Sequence, residues 1–197
     1  MTARDTREAL LDAVGDLLVS DGVGRLSLRK AAAAAGVSHG APGALFGDRA
    51  GMLTAFSCRC FLRLRDRMRE ELATATNGTD ALAATGRGYL RFAREEPEAF
   101  LLMFRRDLVN ADDPLLADAR ERSFAVLSEA LQRAVDEGLL AAERLHLVRV
   151  GAWSIVHGLA ALRLTDAIPA GVGGGDAGLA RAVTDLFASH VLGPRRG

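Results

Sequence analysis

The chain has 197 residues, of which 49% are hydrophobic, and its 25 basic residues balance its 25 acidic residues. This length and apolar content allow a hydrophobic core that needs no disulfide or metal for stability. The chain can form one domain, or a small domain joined to a larger one. Because the formal charge is balanced, any nucleic-acid binding has to come from a local surface.

The first residues, the richest apolar segment and the cysteines indicate the cellular compartment. The first residues are charged in both signs, unlike a signal peptide. The richest apolar segment, 146–164, is interrupted by two arginines and a histidine, so we expect no membrane span. Cys58 and Cys60 point in different directions on a predicted helix and predict neither a disulfide nor a metal site. A cytoplasmic location is expected.

The spacing of apolar residues predicts an all-α fold without a sheet, because they recur every three or four positions. The first helix is predicted to be capped by Asp5, and a short second helix by Ser27, ending at Gly36. A third helix is predicted after a Ser38 cap and a long fourth after an Asp48 cap. Further helices are expected near 79–94, 97–106, 113–138, 143–165 and 177–191, about nine in total.

The two short helices match the arrangement of a helix-turn-helix, whose second helix reads the major groove. Ala32 is small enough for the helices to cross, and Gly36 suits a turn with positive φ. Pro42 falls in the first turn of the second helix, where a missing N–H is tolerated. Leu45 and Phe46 are predicted to face inward.

Over about residues 6–53 the sequence resembles the tetracycline-repressor (TetR) family of transcriptional regulators. The residues that carry the resemblance are Ala9, Leu17, Gly22, Leu26, Ser27, Leu28, Arg29, the run 32–38, Gly40, Ala41, Phe46, Asp48, Arg49 and Leu53. The resemblance implies a helix-turn-helix DNA-binding domain over residues 1–50. It also implies a larger helical domain for ligand binding and dimerisation over residues 51–197.

The same resemblance implies which residues contact double-stranded operator DNA. Phosphate contacts are expected from Arg4, Arg7, Ser27, Arg29, Ser38 and Arg49, and the reading helix presents His39, Gly40, Gly43 and Ala44. Each charged residue could equally be an ordinary solvated side chain. His39 is either a base-edge contact or a surface histidine. The family usually has a tyrosine and a histidine near the end of this helix. Their absence here, at Gly43, Ala44 and Leu45, removes hydrogen-bond donors.

Apolar side chains of the larger domain predict a pocket for a small apolar effector. The candidates are Phe61, Met103, Phe104, Phe124, Leu127, Trp153 and His157. Trp153 and His157 lie four residues apart on one helix face. With Gly158 they form a Trp-x-x-x-His-Gly segment that resembles one found in a branch of the TetR family. Core packing of each apolar residue and a structural role for His157 stay open.

The last two predicted helices are suited to pair with a second copy of the chain. Their apolar residues are Leu147, Val150, Leu159, Leu162, Leu179, Val183, Leu186 and Phe187, with small residues at Gly151, Ala152, Ala160 and Ala161. Two copies would form a four-helix bundle and a homodimer. Such a dimer would place two reading helices about 34 Å apart and would recognise an inverted repeat.

An enzyme is the main competing class, but the sequence shows no nucleophile-elbow spacing and its histidines are dispersed. The glycine-rich run 173–178 fits a dinucleotide-binding pattern, yet it lacks the preceding strand that such a site requires, so we interpret it as a loop. We therefore predict no catalytic site, no metal and no cofactor. The alternative to a regulator is a helical small-molecule-binding protein, or an enzyme, without DNA binding.

Overall fold

The computed structural model describes residues 2–169 and 175–193. Within these ranges the chain forms nine α-helices and two short 3-10 turns, with no strand, so the predicted all-α fold is confirmed. The helices are α1 (Ala3–Asp21), α2 (Leu28–Ala34), α3 (Ala41–Phe46), α4 (Arg49–Leu72), α5 (Gly78–Glu95), α6 (Pro97–Met103), α7 (Pro114–Asp136), α8 (Leu145–Leu164) and α9 (Asp176–Val191). Of the glycine-rich run 173–178, predicted as a loop, residues 173 and 174 lie outside the described residues, and Asp176–Gly178 form the first turn of α9 instead.

Two predicted helix caps are confirmed and two are wrong. The Ser27 hydroxyl accepts from the Lys30 N–H at 3.3 Å, and the Asp48 carboxylate accepts from the Gly51 N–H at 2.8 Å. At α1, the N-cap is Thr2 rather than Asp5. The Thr2 hydroxyl accepts from the Asp5 N–H, and the Asp5 carboxylate accepts from the Thr2 N–H, which forms a capping box.

The predicted Ser38 cap of α3 is wrong because the chain makes a turn before the helix starts. The Ala41 N–H donates to the Ser38 main-chain carbonyl at 3.0 Å, so the helix begins only at Ala41. Gly40 occupies the N-cap position and has no side chain to donate or accept. Pro42 lies in the first turn, as predicted, and is buried.

The chain divides into two compact units. The first comprises the residues up to Leu62 together with Glu98–Arg120. Its fully buried apolar side chains include Leu10, Leu11, Val14, Ala31, Ala32, Met52, Leu53 and Leu116. Within this unit the buried Thr54 hydroxyl accepts from the Asn110 N–H at 2.8 Å, which ties α4 to the loop after α6. The first unit therefore contains the predicted domain 1–50 and additional chain.

The second unit comprises Arg63–Pro97 and the described residues from Glu121 onward. Here α5 packs against α8 and α9 around a common core. Core residues include Leu82, Ala83, Leu127, Leu131, Ala134, Leu140, Val148, Ala152, Ala188 and Leu192. A Cβ at Gly88 would lie 2.6 Å from the Arg67 carbonyl oxygen, so α4 and α5 approach at backbone distance in this unit.

One helical stretch of the described chain, Ala142–Leu164, is long and apolar enough to cross a membrane by length and composition. The expectation that the chain has no membrane span stays a prediction. The criterion is weak evidence, because a core helix of a soluble protein also meets it. Apolar residues on this helix need another explanation, which its exposed face supplies below.

Candidate nucleic-acid interface and ligand site

The helices α2 and α3 form the predicted pair and pack against each other and against α1. Ala32 is completely buried where they meet, and its carbonyl accepts from the Val37 N–H at 3.0 Å in the turn. Gly36 has a φ of +64°, a conformation in which a Cβ is strained. The turn glycine and the small crossing residue therefore act as the sequence predicts.

One side of this pair is open to solvent. Ser38, His39 and Gly40 before α3 are exposed, and so are Gly43 and Ala44 on the helix itself. Leu45 and Phe46, predicted to face inward, are half-buried. The exposed surface of α3 is thus made of small residues with one imidazole at its start.

The α3–α4 junction holds this surface in place through backbone contacts. A Cβ at Gly51 would lie 2.1 Å from the Phe46 carbonyl oxygen, so only glycine fits there. The Arg49 guanidinium donates to the Leu26 carbonyl at 2.9 Å and to the Val23 carbonyl at 2.6 Å. Arg49 thus joins the start of α4 to the turn before α2, and its phosphate contact stays a prediction for its remaining donors.

The other predicted phosphate contacts differ in how free their side chains are. Arg4 and Arg29 are exposed. The Arg7 guanidinium lies 5.6 Å from the centre of the Phe46 ring and 3.7 Å from the Glu8 carboxylate. Lys30, which we did not predict as a contact, hydrogen-bonds to Asp21 and holds the pKa of that carboxyl below its usual value.

The predicted effector residues fall into two groups, one in each unit. In the first unit the Phe61 ring meets the Phe104 ring edge-on, with centroids 6.0 Å apart, and Phe100 lies 5.2 Å from Phe104. The Arg120 guanidinium lies 5.6 Å from the Phe61 ring centre. Met103 and Phe61 are buried, and these contacts give both a packing role whether or not a ligand binds.

In the second unit Phe124, Trp153 and His157 form an aromatic cluster. Phe124 meets the Trp153 ring edge-on at 5.0 Å, and Trp153 lies 5.9 Å from His157, so the predicted shared helix face is confirmed. Leu127 is buried in the core of this unit. The cluster contains another polar aromatic residue, Tyr89.

Tyr89 was missed at the sequence level. Its hydroxyl oxygen lies 2.8 Å from His157 Nδ1. Burial raises the pKa of Tyr89 and lowers the pKa of His157, so both are neutral near pH 7. The Trp153 indole N–H donates to the Tyr89 hydroxyl, and this hydrogen bond partly offsets the rise in the pKa of Tyr89. The only signal in the sequence was that Tyr89 is the single tyrosine.

The part of the chain that is described holds no cluster of three metal-ligating side chains. Both cysteines are reduced, and burial raises the pKa of the Cys58 thiol to about 11, which makes it a poor nucleophile at neutral pH. A cleft of about 630 Å³ lies between α5 and α9. Its Arg87 pairs with Asp80 at 3.2 Å and with Asp185 at 3.3 Å, so its charges are largely matched.

The family is decided by the carboxy-terminal half. The sequence model described as "Tetracyclin repressor-like, C-terminal domain" matches residues 82–186, more than half of the chain. The chain belongs to the TetR family. The predicted family is therefore confirmed, and the match covers the part of the chain that follows the resemblance in residues 6–53. The Trp-x-x-x-His-Gly branch stays a prediction.

Solved structures agree with this TetR assignment over nearly the whole chain. A protein with unknown function from Rhodococcus sp. RHA1 is 26% identical, with a TM-score of 0.80 over 95% of this chain and 96% of that one. The fatty acid degradation regulator FadR from Bacillus halodurans is 16% identical, with a TM-score of 0.74 over 92% and 94%. A TetR family transcription regulator from Marinobacter aquaeolei VT8 is 19% identical, with a TM-score of 0.70 over 98% and 97%.

At these identities the last two structures show a shared fold alone. No protein with a curated description matches the sequence.

Proposed function

We propose that this TetR-family chain is a cytoplasmic transcriptional repressor that binds an inverted-repeat operator as a homodimer and is released by an apolar small molecule. Regulators of the family bind operator DNA and dimerise. The observation that carries the proposal is the solvent-exposed side of α3, which α2 and the Gly51 junction hold rigidly. We assign reading of DNA to residues 1–50 and effector binding and dimerisation to residues 51–197.

The proposed DNA contacts follow from exposure. Arg29 at the start of α2 and Arg4 in the first turn of α1 can reach phosphates, because no other group holds them in the structure described. His39 is the long polar side chain nearest the start of α3 and would meet a base edge. Ser38, Gly40, Gly43 and Ala44 let the backbone come close to the duplex. Ser27 and Arg7, which already contact other residues of the chain, would add phosphate contacts at the edge of the DNA-binding surface.

A second copy is proposed to cover an exposed apolar stripe on α8 and α9. Leu147 is 72% exposed, Leu162 50% and Leu186 60%, and the exposed Val150 and Ile155 lie between the first two along α8. Monomeric soluble proteins rarely leave a large apolar patch in water. Pairing with its own copy would bury the stripe in a four-helix bundle, and it accounts for the high hydropathy of Ala142–Leu164.

Gly158 lies within this stripe and leaves open space for a neighbouring helix. A Cβ built there meets no atom within 4 Å, although the position is in the middle of α8. A glycine in a helix interior costs about 1 kcal/mol relative to alanine. Close packing of α8 from a second copy would offset that cost, because two helix backbones approach more closely where a side chain is missing.

Release by an effector requires that the ligand favours one of two conformations of the dimer. The proposed effector residues are Phe61, Met103, Phe104, Phe124, Leu127, Trp153 and His157. The helix α4 follows the reading helix directly and contributes Phe61 further along. Movement of α4 on ligand binding would change the spacing of the two reading helices, and an unsuitable spacing would weaken operator binding.

The test of DNA binding is gel retardation with labelled intergenic DNA from beside the gene. We expect retardation at low salt that weakens steeply as salt is raised, because phosphate contacts release counterions. Arg29→Ala should lower the slope of log affinity against log salt by about one. His39→Ala should lower affinity for the operator about tenfold and leave non-specific binding unchanged.

The matched control is Arg144→Ala, which removes an exposed arginine from the second unit and should change neither quantity. Absence of any retarded species at low salt contradicts the proposed function. Equal losses for the Arg29 and Arg144 variants contradict the assigned surface.

The exposed Gly43 and Ala44 favour a second candidate. The sequence has no long donor at either position, so the surface of α3 offers few groups to phosphates or bases. A helical small-molecule-binding protein, or an enzyme, that has lost DNA binding would show this pattern. In that case the dimer forms and binds ligands, but labelled DNA is ignored at every salt concentration.

A further inference from the structure

A small recess of the second unit is lined mainly by arginines. Its volume is about 180 Å³, and it lies where the second half of α5, the last turn of α8 and the first turns of α9 meet. We call it the arginine recess. One acid, Glu71, lines it together with five arginines, Arg87, Arg91, Arg94, Arg163 and Arg181. Its lining therefore carries a clear excess of positive charge.

The larger cleft beside it has a different charge balance. That cleft shares Arg87 and Arg181 with the arginine recess, but three acids also line it, Asp80, Glu137 and Asp185. Positive and negative side chains there offset each other within the chain. The arginine recess lacks this local compensation, so it is the better candidate for binding an anion from solution.

An ion-pair network behind the recess does not use all the guanidinium donors. The Glu95 carboxylate accepts from the Arg91 Nε–H at 2.9 Å and from the Arg67 Nε–H at 3.0 Å. Arg94 lies 3.8 Å from the same carboxylate, which is too far for a hydrogen bond. Arg181 is exposed and pairs with no carboxylate in the described part of the chain. Each guanidinium has five N–H donors, so Arg94 and Arg181 keep donors for a ligand.

We propose that the arginine recess binds a phosphate group, either as inorganic phosphate or as the phosphate ester of a small molecule. This site lies outside the effector site and goes beyond the proposed function. A planar guanidinium matches two phosphate oxygens at once, which favours arginine over lysine for this ligand. The base of the recess is apolar, because Leu90 and Ala180 are buried there, and a less polar surrounding strengthens charge–charge attraction.

The arrangement of the arginines favours phosphate over a carboxylate. Arg94 lies on α5, Arg163 on α8 and Arg181 on α9, so the donors reach the recess from three helices. A phosphate ester presents three acceptor oxygens in different directions. A carboxylate presents two oxygens in one plane and cannot satisfy donors from three sides. A bound phosphate would also hold the ends of α5 and α8 to the start of α9.

The test is calorimetric titration of the full chain with glycerol 1-phosphate, inorganic phosphate and succinate at one fixed ionic strength. At about pH 8 the phosphate groups are mainly dianions, because their second pKa is near 6, and succinate matches them in charge. We expect at least one phosphate compound to bind at least about tenfold more tightly than succinate. Tighter binding of the ester identifies an esterified ligand, and tighter binding of inorganic phosphate identifies the free ion.

A bound phosphate should also raise the thermal unfolding midpoint, because it binds the folded chain alone. Equal affinities for succinate and both phosphates overturn the proposal, since charge attraction alone would explain them. Neither heat nor a change of midpoint with either phosphate overturns it as well. Because no DNA is present, failure here leaves the repressor proposal standing, and failure of gel retardation leaves this proposal standing.

Variants assign the binding to the arginine recess. Arg181→Gln and Arg94→Gln each remove one charged donor and should lower phosphate affinity at least about tenfold. Arg144→Gln is the matched control, because Arg144 is an exposed arginine of the same unit that does not line the recess. It should bind phosphate normally.

Unchanged affinity in Arg181→Gln overturns the proposal, and so does an equal loss in Arg144→Gln. Without phosphate, the unfolding midpoint of Arg181→Gln should equal that of the unaltered chain, because this side chain is exposed and unpaired in the described structure. If Arg94→Gln lowers the midpoint through the Glu95 network, Arg181→Gln alone decides the result.

Discussion

Replacing Leu186 by glutamate is expected to turn the dimer into a monomer and to raise the operator Kd by at least about 100-fold. Leu186 is 60% exposed in the single chain and lies in the stripe proposed to meet a second copy. A carboxylate there would be buried against apolar side chains without a cation, which disfavours association strongly. The loss of DNA affinity follows because two linked half-sites gain about 10²–10⁴ in avidity over one.

Sedimentation velocity measures the oligomeric state and gel retardation measures operator binding. Leu115→Glu is the matched control, because Leu115 is 68% exposed but lies at the start of α7, in the first unit. It should remain dimeric and bind normally. A dimer that survives Leu186→Glu, or a monomer produced equally by both variants, would show that another surface joins the copies.

Replacing Gly51 by alanine is expected to destabilise the first unit by about 3 kcal/mol, the upper part of the range for overpacked sites. The added Cβ would lie 2.1 Å from the Phe46 carbonyl oxygen, which is backbone and cannot rotate away. The end of α3 or the start of α4 must therefore shift. Operator binding should be lost along with stability, because the shift moves the reading helix itself.

Gly43→Ala is the control within the same short region. A Cβ at Gly43 meets no atom within 4 Å, and alanine is the better helix former, so stability should rise by up to about 1 kcal/mol. Urea unfolding followed by circular dichroism gives both values. Equal midpoints for the two variants would mean that the α3–α4 junction relaxes freely and does not hold the reading helix.

Local signals predicted the helices well and their first residues less well. The long helices follow from apolar periodicity, and their boundaries lie within a few residues of those expected. The start of α1 was misassigned because Thr2 and Asp5 are both good capping residues, each with an acid three positions later. The start of α3 was misassigned because a main-chain turn at Ser38 competes with a side-chain cap.

Contacts between distant residues were beyond the reach of the sequence. Tyr89 and His157 are 68 positions apart, and only the packing of α5 against α8 brings them together. The close approach of the Phe46 carbonyl to Gly51 could not be predicted either, because the sequence pattern gives Gly51 as an ordinary residue within a helix. The sequence predicted that Trp153 shares a helix face with His157, and the two rings do lie side by side, 5.9 Å apart.

The Arg49 guanidinium has a consequence for how a signal could travel within the first unit. It donates hydrogen bonds to the Val23 and Leu26 carbonyls, while the Arg49 backbone begins α4. A rotation of the first turn of α4 would therefore move both ends of the α2–α3 hairpin together. The end after α3 is joined to α4 by Gly47 and Asp48, and the end before α2 is joined by the Arg49 hydrogen bonds. The α2–α3 hairpin would rotate as a rigid body without bending. Its DNA-facing surface would keep its shape while its orientation changed.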